Sequence, residues 1–277
     1  MQGAGRYPAA VPFTPAHVLA VLPAVHARRA LHLDPTCLVI GSMAPDVEYF
    51  ARGTLNGAFG HSLIGIAAWG VPITLAAALV FHQLVKWPVL LVGPRSLAAV
   101  LAPPWRARWT VGGALSAVAS AALGDLTHVV WDSATHSDGA IVRRVPALAA
   151  PHHLPVLGEM VLHRILQHAS TLVGLAGVAA YLAWQARRAP RINVEVPRLA
   201  PRIAFASCLA IGIAAALVRL ERLGLTDPGN RIVGAISGAL AGTLVASAIV
   251  RRAARRYQAL ALAALADRRS RSPDRGS

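Results

Sequence analysis

From residue 62 to residue 85 the chain runs without an Asp, Glu, Lys or Arg. Wound as a helix at 1.5 Å per residue, such a run is about 36 Å long, enough to cross the roughly 30 Å hydrocarbon core of a bilayer. In hydrocarbon the backbone must satisfy its own hydrogen bonds, which leaves only helices and closed barrels. Further runs at about 111–131, 169–184, 203–218 and 232–250 repeat the pattern. They predict an all-α, polytopic transmembrane helix bundle of about five spans, with a kink at Pro72 in the first.

Composition agrees. Hydrophobic residues make up 55% of the 277 and charged residues 14%, too apolar a balance for a soluble domain. The net charge of +15 comes from 26 Arg and one Lys. Arg-rich loops beside apolar spans are the signature of membrane orientation, so the charge predicts no nucleic-acid partner. With five spans, one side collects 17 Lys and Arg and the other 10. This predicts a cytoplasmic C-terminal tail and places His61, Asp132 and His136 near the outer boundary. Cys37 and Cys208 alone make neither a disulfide framework nor a zinc ribbon and are read as structural. The N-terminus, broken by Pro8, Pro12, Pro15 and Pro23, does not read as a cleavable signal.

The expected organisation is one membrane domain over 1–250 and a basic, disordered tail over 251–277. A short N-terminal helix falls within 13–32, with Thr14 as N-cap, Pro15 at its first position and His17 in its first turns. Residues 37–44 are apolar but too short to span, and Pro45-Asp46 turns the chain, with Glu48 following. The piece 89–102, interrupted by Pro94-Arg95, is read as re-entrant or interfacial. Residues 133–166, with His152, His153, Glu159 and His163, form a loop outside the hydrocarbon. Gly174 with Gly177, and Gly234 with Gly238 and Gly242, predict close helix contacts; no G-x-x-x-x-G-K nucleotide loop occurs.

Chemistry concentrates in 124–136. On a helix, Asp125, His128, Asp132 and His136 fall within an arc of about 80°. Ionisable groups are expensive at a membrane, and this set of carboxylates and imidazoles suits one or two divalent cations such as zinc, manganese or iron. A proton pathway or a structural polar network uses the same residue types. One helix rarely completes a metal shell, so Asp46, Glu48 and His61, each bordering an apolar segment, are candidate partners, with His17 a weaker one.

Five segments carry a resemblance: Pro-Phe-Thr-Pro-Ala-His (12–17), Val-Ile-Gly-Ser-Met-Ala-Pro-Asp-Val-Glu-Tyr-Phe (39–50), Gly-His-Ser-Leu (60–63), Leu-Thr-His-Val-Val-Trp-Asp-Ser-Ala-Thr-His (126–136) and Leu-Gln-His-Ala-Ser-Thr-Leu-Val-Gly (166–174). In this order they resemble a bacterial membrane family known only as a domain of unknown function, over about 11–250. The resemblance implies a bacterial inner-membrane location and no particular activity. His17 and His168 match motifs of that family. More distantly, Pro-Asp, His-Ser-Leu and the helical Thr-His look like the inner-membrane metal-dependent hydrolases, and Gly124-Asp125-x-x-His128 is similar to a helix of zinc-dependent phospholipase C and S1/P1 nucleases. That likeness implies Asp46, His61, Asp125, His128, Asp132 and His136 as metal ligands.

The functional expectation is a metal-dependent hydrolase acting on a phosphoester or lipid-like substrate among membrane lipids, with zinc the leading cofactor. Glu48 is the candidate general base, and Asp125 is either a ligand or a carboxylate that orients a histidine. The alternative is a non-enzymatic membrane protein in which the same residues hold a structural metal or polar network; a proton-coupled transporter ranks third.

Overall fold

The computed structural model describes residues 14–54, 59–102, 110–155, 158–189, 192 and 194–270. Expectations for the first prolines, for Arg106 and Arg108 and for the end of the tail lie outside them. A 3-10 turn over Thr14–His17 leads into α1 (Val18–His26), followed by α2 (Pro35–Gly41) and α3 (Val47–Arg52). Five long helices come next among the described residues: α4 (Leu63–Val92), α6 (Val111–Thr135), α8 (Leu162–Arg188), α9 (Leu199–Arg222) and α10 (Pro228–Ile249). Each is long and apolar enough to cross a membrane, which makes this a multi-pass membrane protein. Between and after them lie α5 (Arg95–Leu101), α7 (Ala140–Arg144) and α11 (Arg251–Ser270).

Several segments differ from expectation. The first span does not stop before Lys86 but continues to Val92, because Lys86 and Trp87 are buried. Residues 89–92 therefore belong to that span, and beyond Gly93-Pro94 only the seven-residue α5 follows. Within α4, π-helical turns at Ile66–Gly70 and Phe81–Val85 precede Pro72 and Pro88. Each turn contains the carbonyl, of Ala68 or Leu84, that the missing proline N–H cannot serve. The short N-terminal helix falls within 13–32 as expected, but the Thr14 hydroxyl donates to Asp46 instead of capping it. Within the loop expected at 133–166, β1 (Pro151–Leu154) pairs antiparallel with β2 (Gly158–Val161), His153 opposite Glu159. The tail, expected to be disordered, is helical to Ser270: Ala254, Tyr257 and Ala261 recur at helical spacing and are buried, a stripe hidden among arginines.

The chain divides into two compact units. The first (1–78, 108–179 and 225–233) contains α1 to α3, the start of α4, α6 and most of α8. Here α8 meets the N-terminal segment through the expected glycines: a Cβ on Gly174 would lie 2.6 Å from that of Ala16, and one on Gly177 would lie 2.6 Å from a Leu19 methyl. The second unit (79–107, 180–224 and 234–277) packs α9 on α10, with Gly212 against Gly238 and Gly242 against Cys208, backbone to backbone. In the same unit Tyr257 of α11 packs edge-on to Trp87, their centroids 6.3 Å apart.

Candidate metal centre

The site begins with two glycines that let α2 lie on α6. A Cβ on Gly41 would stand 2.6 Å from the Ala121 carbonyl oxygen; one on Gly124 would overlap the Leu38 carbonyl and stand 2.8 Å from the Ser42 amide nitrogen. At this distance the Ser42 carbonyl, at the end of α2, lies 2.8 Å from His128 Nδ1. A carbonyl only accepts, so Nδ1 donates, and in the neutral ring Nε2 is left with its lone pair. This nitrogen is buried and has no hydrogen-bond partner among the described residues.

Three further elements bring ligands to Nε2. Asp46 precedes α3 but does not cap it; Thr14 Oγ1 donates to its Oδ2 at 2.5 Å, which leaves Oδ1 facing inward. His61 follows Gly60, whose amide donates to Glu48 Oε2 at 3.1 Å and whose missing side chain would stand 2.8 Å from the Pro45 carbonyl. Ser62 then caps α4 by accepting from Gly65 N–H at 2.9 Å. Asp132 lies one turn beyond His128 on α6.

Four atoms close a ring in which nitrogens alternate with oxygens. His61 Nε2 is 3.4 Å from Asp46 Oδ1, which is 3.6 Å from His128 Nε2; that nitrogen is 3.1 Å from Asp132 Oδ2, which is 3.5 Å from His61 Nε2. One ligand atom from each of the four residues lies within 4.8 Å of all the others. In a tetrahedral zinc shell with bonds of about 2.0–2.2 Å, neighbouring ligand atoms are roughly 3.3–3.6 Å apart. His128 is fully buried, Asp46 nearly so and Asp132 7% exposed. Two buried carboxylates with neutral imidazoles require two positive charges, and one divalent cation supplies both. The donor set and spacing therefore fit a dication.

Protonated imidazoles and a cation are alternative ways to neutralise these two carboxylates. Burial alone would raise the Asp46 pKa, but the neighbouring His128 and His61 and the hydrogen bond from Thr14 hold it well below the carboxylate range. Burial works against a charged His61, yet Asp132 and Asp46 lift its pKa to about 9. His17 goes the other way: burial, then the neighbouring His128, lower it to about 4 and keep the ring neutral.

The remaining sequence candidates take varied positions. His17 stacks on His128 at 3.8 Å between centroids, its Nε2 3.5 Å from Asp132 Oδ1. His136, just past α6, has Nδ1 3.7 Å from that same oxygen. His168 is exposed and outside the group; the preceding Gln167 is buried, its Nε2 3.3 Å from His136 Nε2. Asp125 is fully buried against Gly70, without a hydrogen-bond partner for either oxygen among the described residues, and it is not one of the four. It does not orient His128, since the Ser42 carbonyl does. Glu48 engages both oxygens, one with Gly60 N–H and one with Arg52 at 3.1 Å, and these partners hold it ionised against burial. Sequence reasoning missed Thr14 as a partner of Asp46, the Ser42 carbonyl and Gln167. All three left a signal, inside the motif segments 12–17, 39–50 and 166–174.

Fold and site together define a multi-pass helical membrane protein with a buried four-residue candidate metal centre. The family described as "Domain of unknown function (DUF4184)" matches residues 11–248, and the chain belongs to it. No curated protein and no solved structure matches the chain.

Proposed function

We propose that this protein is a membrane-embedded metal-dependent hydrolase acting on a phosphoester or other lipid-like substrate. The observation that carries this reading is the closed ring of His61, Asp46, His128 and Asp132 at the ends of two apolar helices, with spacing and charge suited to one dication. A bound zinc or similar ion would polarise a scissile ester and make an attacking water more acidic. The protein's own groups preorganise that event. Ser42 sets the tautomer of His128, Thr14 turns Asp46, and Glu48 holds the Gly60 amide and hence His61, which makes Glu48 a positioning residue. His61 and His136 are the more exposed members and mark the approach side.

The excess of Lys and Arg on one side supports a cytoplasmic C-terminal helix and a site mouth near the outer face of a bacterial inner membrane. The merging of 89–92 into the first span favours the five-span count on which that orientation depends.

One observation favours a second reading. Four protein ligands fill a tetrahedral shell, as in structural zinc sites, whereas catalytic zinc keeps an open position. The two readings part on purified protein. The hydrolase is expected to retain a divalent ion, lose it in His128→Ala and Asp132→Ala, and release phosphate or headgroup from phospholipid vesicles in a chelator-sensitive way. Metal content unchanged in both variants overturns the centre; bound metal without hydrolysis across a phosphoester and carboxylester panel overturns the enzyme.

A further inference from the structure

Asp132 uses only one of its oxygens in the four-atom ring. Oδ2 faces His128 and His61, while Oδ1 faces His17 Nε2 at 3.5 Å and His136 Nδ1 at 3.7 Å. Both His17 Nε2 and Asp132 Oδ1 are buried and lack a hydrogen-bond partner among the described residues. His17 as a whole is 6% exposed and Asp132 7%. Two unpartnered atoms facing each other in a buried site carry a desolvation penalty unless something lies between them.

The stacking of His17 on His128 bears on what that is. The rings lie 3.8 Å apart and 17° from parallel, each presenting Nε2 to a different oxygen of one carboxylate. Ions held by such a pair and bridged by that carboxylate would be spaced roughly as in two-metal sites, about 3.5–4 Å apart. His136 Nδ1 also lies 3.3 Å from the Asp132 backbone carbonyl, and Gln167 serves its Nε2, so this ring stays beside the position without ligating. We propose that the protein binds a second divalent cation on Asp132 Oδ1 and His17, with Asp132 bridging it to the first. This rests on the metal centre proposed above and deepens it.

The second position differs from the first in openness. The first takes four protein atoms; the second takes two, beside the part-exposed His136, and keeps coordination sites for water and substrate. It thereby supplies the vacancy that a closed tetrahedral shell lacks. It also narrows the substrate. Two dications against the carboxylates of Asp46 and Asp132 leave a surplus of about two positive charges in a buried site. A phosphate group neutralises that surplus and can bridge both ions, whereas an uncharged carboxylic ester cannot. The substrate class is thus a phosphoester.

The test uses the full chain purified in detergent, stripped with chelator and reloaded with Zn²⁺ or Mn²⁺ alone. Wild type is expected to hold about two ions per chain by elemental analysis, His17→Ala about one and Asp132→Ala almost none. With Mn²⁺, the wild-type paramagnetic resonance spectrum should show a spin-coupled pair that becomes an isolated-ion spectrum in His17→Ala. Inorganic phosphate should bind the two-ion protein at least tenfold more tightly than the His17→Ala protein. One ion in wild type, or two retained in His17→Ala, overturns the second position and leaves the four-residue centre standing. No ion in wild type overturns both. Equal phosphate binding by the two proteins overturns the phosphoester assignment. The wild-type spectrum needs no variant, so misfolding of His17→Ala would not shelter the proposal.

Discussion

The two compact units solve helix packing in the same way and put it to different use. In both, glycine lets backbones meet: Gly41 and Gly124 join α2 to α6 in the first, and Gly212, Gly238 and Gly242 join α9 to α10 in the second. In the second unit the buried set around Trp87, Leu90, Leu91 and Tyr257 is apolar, with the cations of Lys86 and Arg198 over the Trp87 and Tyr257 rings. In the first, the same close approach delivers a backbone carbonyl to His128 and closes Asp46, His61 and Asp132 around it. Close packing without hydrophobic gain is what membrane helices need to associate. In the first unit it also holds two carboxylates and two imidazoles in register, groups that are costly at a membrane.

The widest test of that contrast is a pair of glycine substitutions. Gly124→Ala and Gly238→Ala should each lower stability by about 1–3 kcal/mol, read from thermal unfolding in detergent, because each added Cβ meets backbone that cannot rotate away. Only Gly124→Ala should also weaken metal retention, by moving the Ser42 carbonyl from His128. If both variants lose metal equally, the division of labour is wrong.

A smaller effect is expected from Glu48, which contacts the Gly60 amide beside His61 and is not one of the four candidate ligands. Glu48→Ala should reduce metal affinity about 10–100-fold in a competition titration with a chelating dye, and Glu48→Gln should restore part of it. A general base would give the opposite pattern: unchanged affinity, with turnover lost in both variants.

The smallest effect concerns Cys37, in the apolar part of the first unit beside Ala78 and Ala121. Burial, then the neighbouring Asp34, pushes its thiol up to about 12. The thiolate is the reactive form and is favoured only as pH rises through that value, so Cys37 should resist maleimide at pH 8 in the folded protein. It should react once the protein is unfolded; rapid labelling of the native state, followed by mass spectrometry, would show that this packing is loose.

The five spans were legible because physics leaves little choice. A long uncharged run must be helical in lipid, and charged residues mark where it stops. The stripe on α6 was legible for a similar reason, since 100° per residue places Asp125, His128 and Asp132 on one face whatever surrounds them, although His136 falls just past the helix end. The same arithmetic sets Asp125 apart from the four-residue group. It lies seven residues before Asp132, about 10 Å along the axis, which is too far for both to reach one ion. A shared face is not a shared centre. The tail helix escaped notice because three well-spaced apolar residues were outweighed by arginine, and the extent of α4 escaped because burial of Lys86 is decided by its neighbours.

Local pattern thus accounts for which residues could ligate a metal, and tertiary structure alone decides which of them do so together. Helical phase relative to a distant partner selects Gln167 over His168. Contact between α2 and α6 selects a carbonyl over a carboxylate to orient His128. The closure of Asp46, His61, His128 and Asp132 depends on three segments separated by up to 86 positions in the chain. No local periodicity encodes such distances; they are set by how closely the glycines of α2 and α6 allow two backbones to approach.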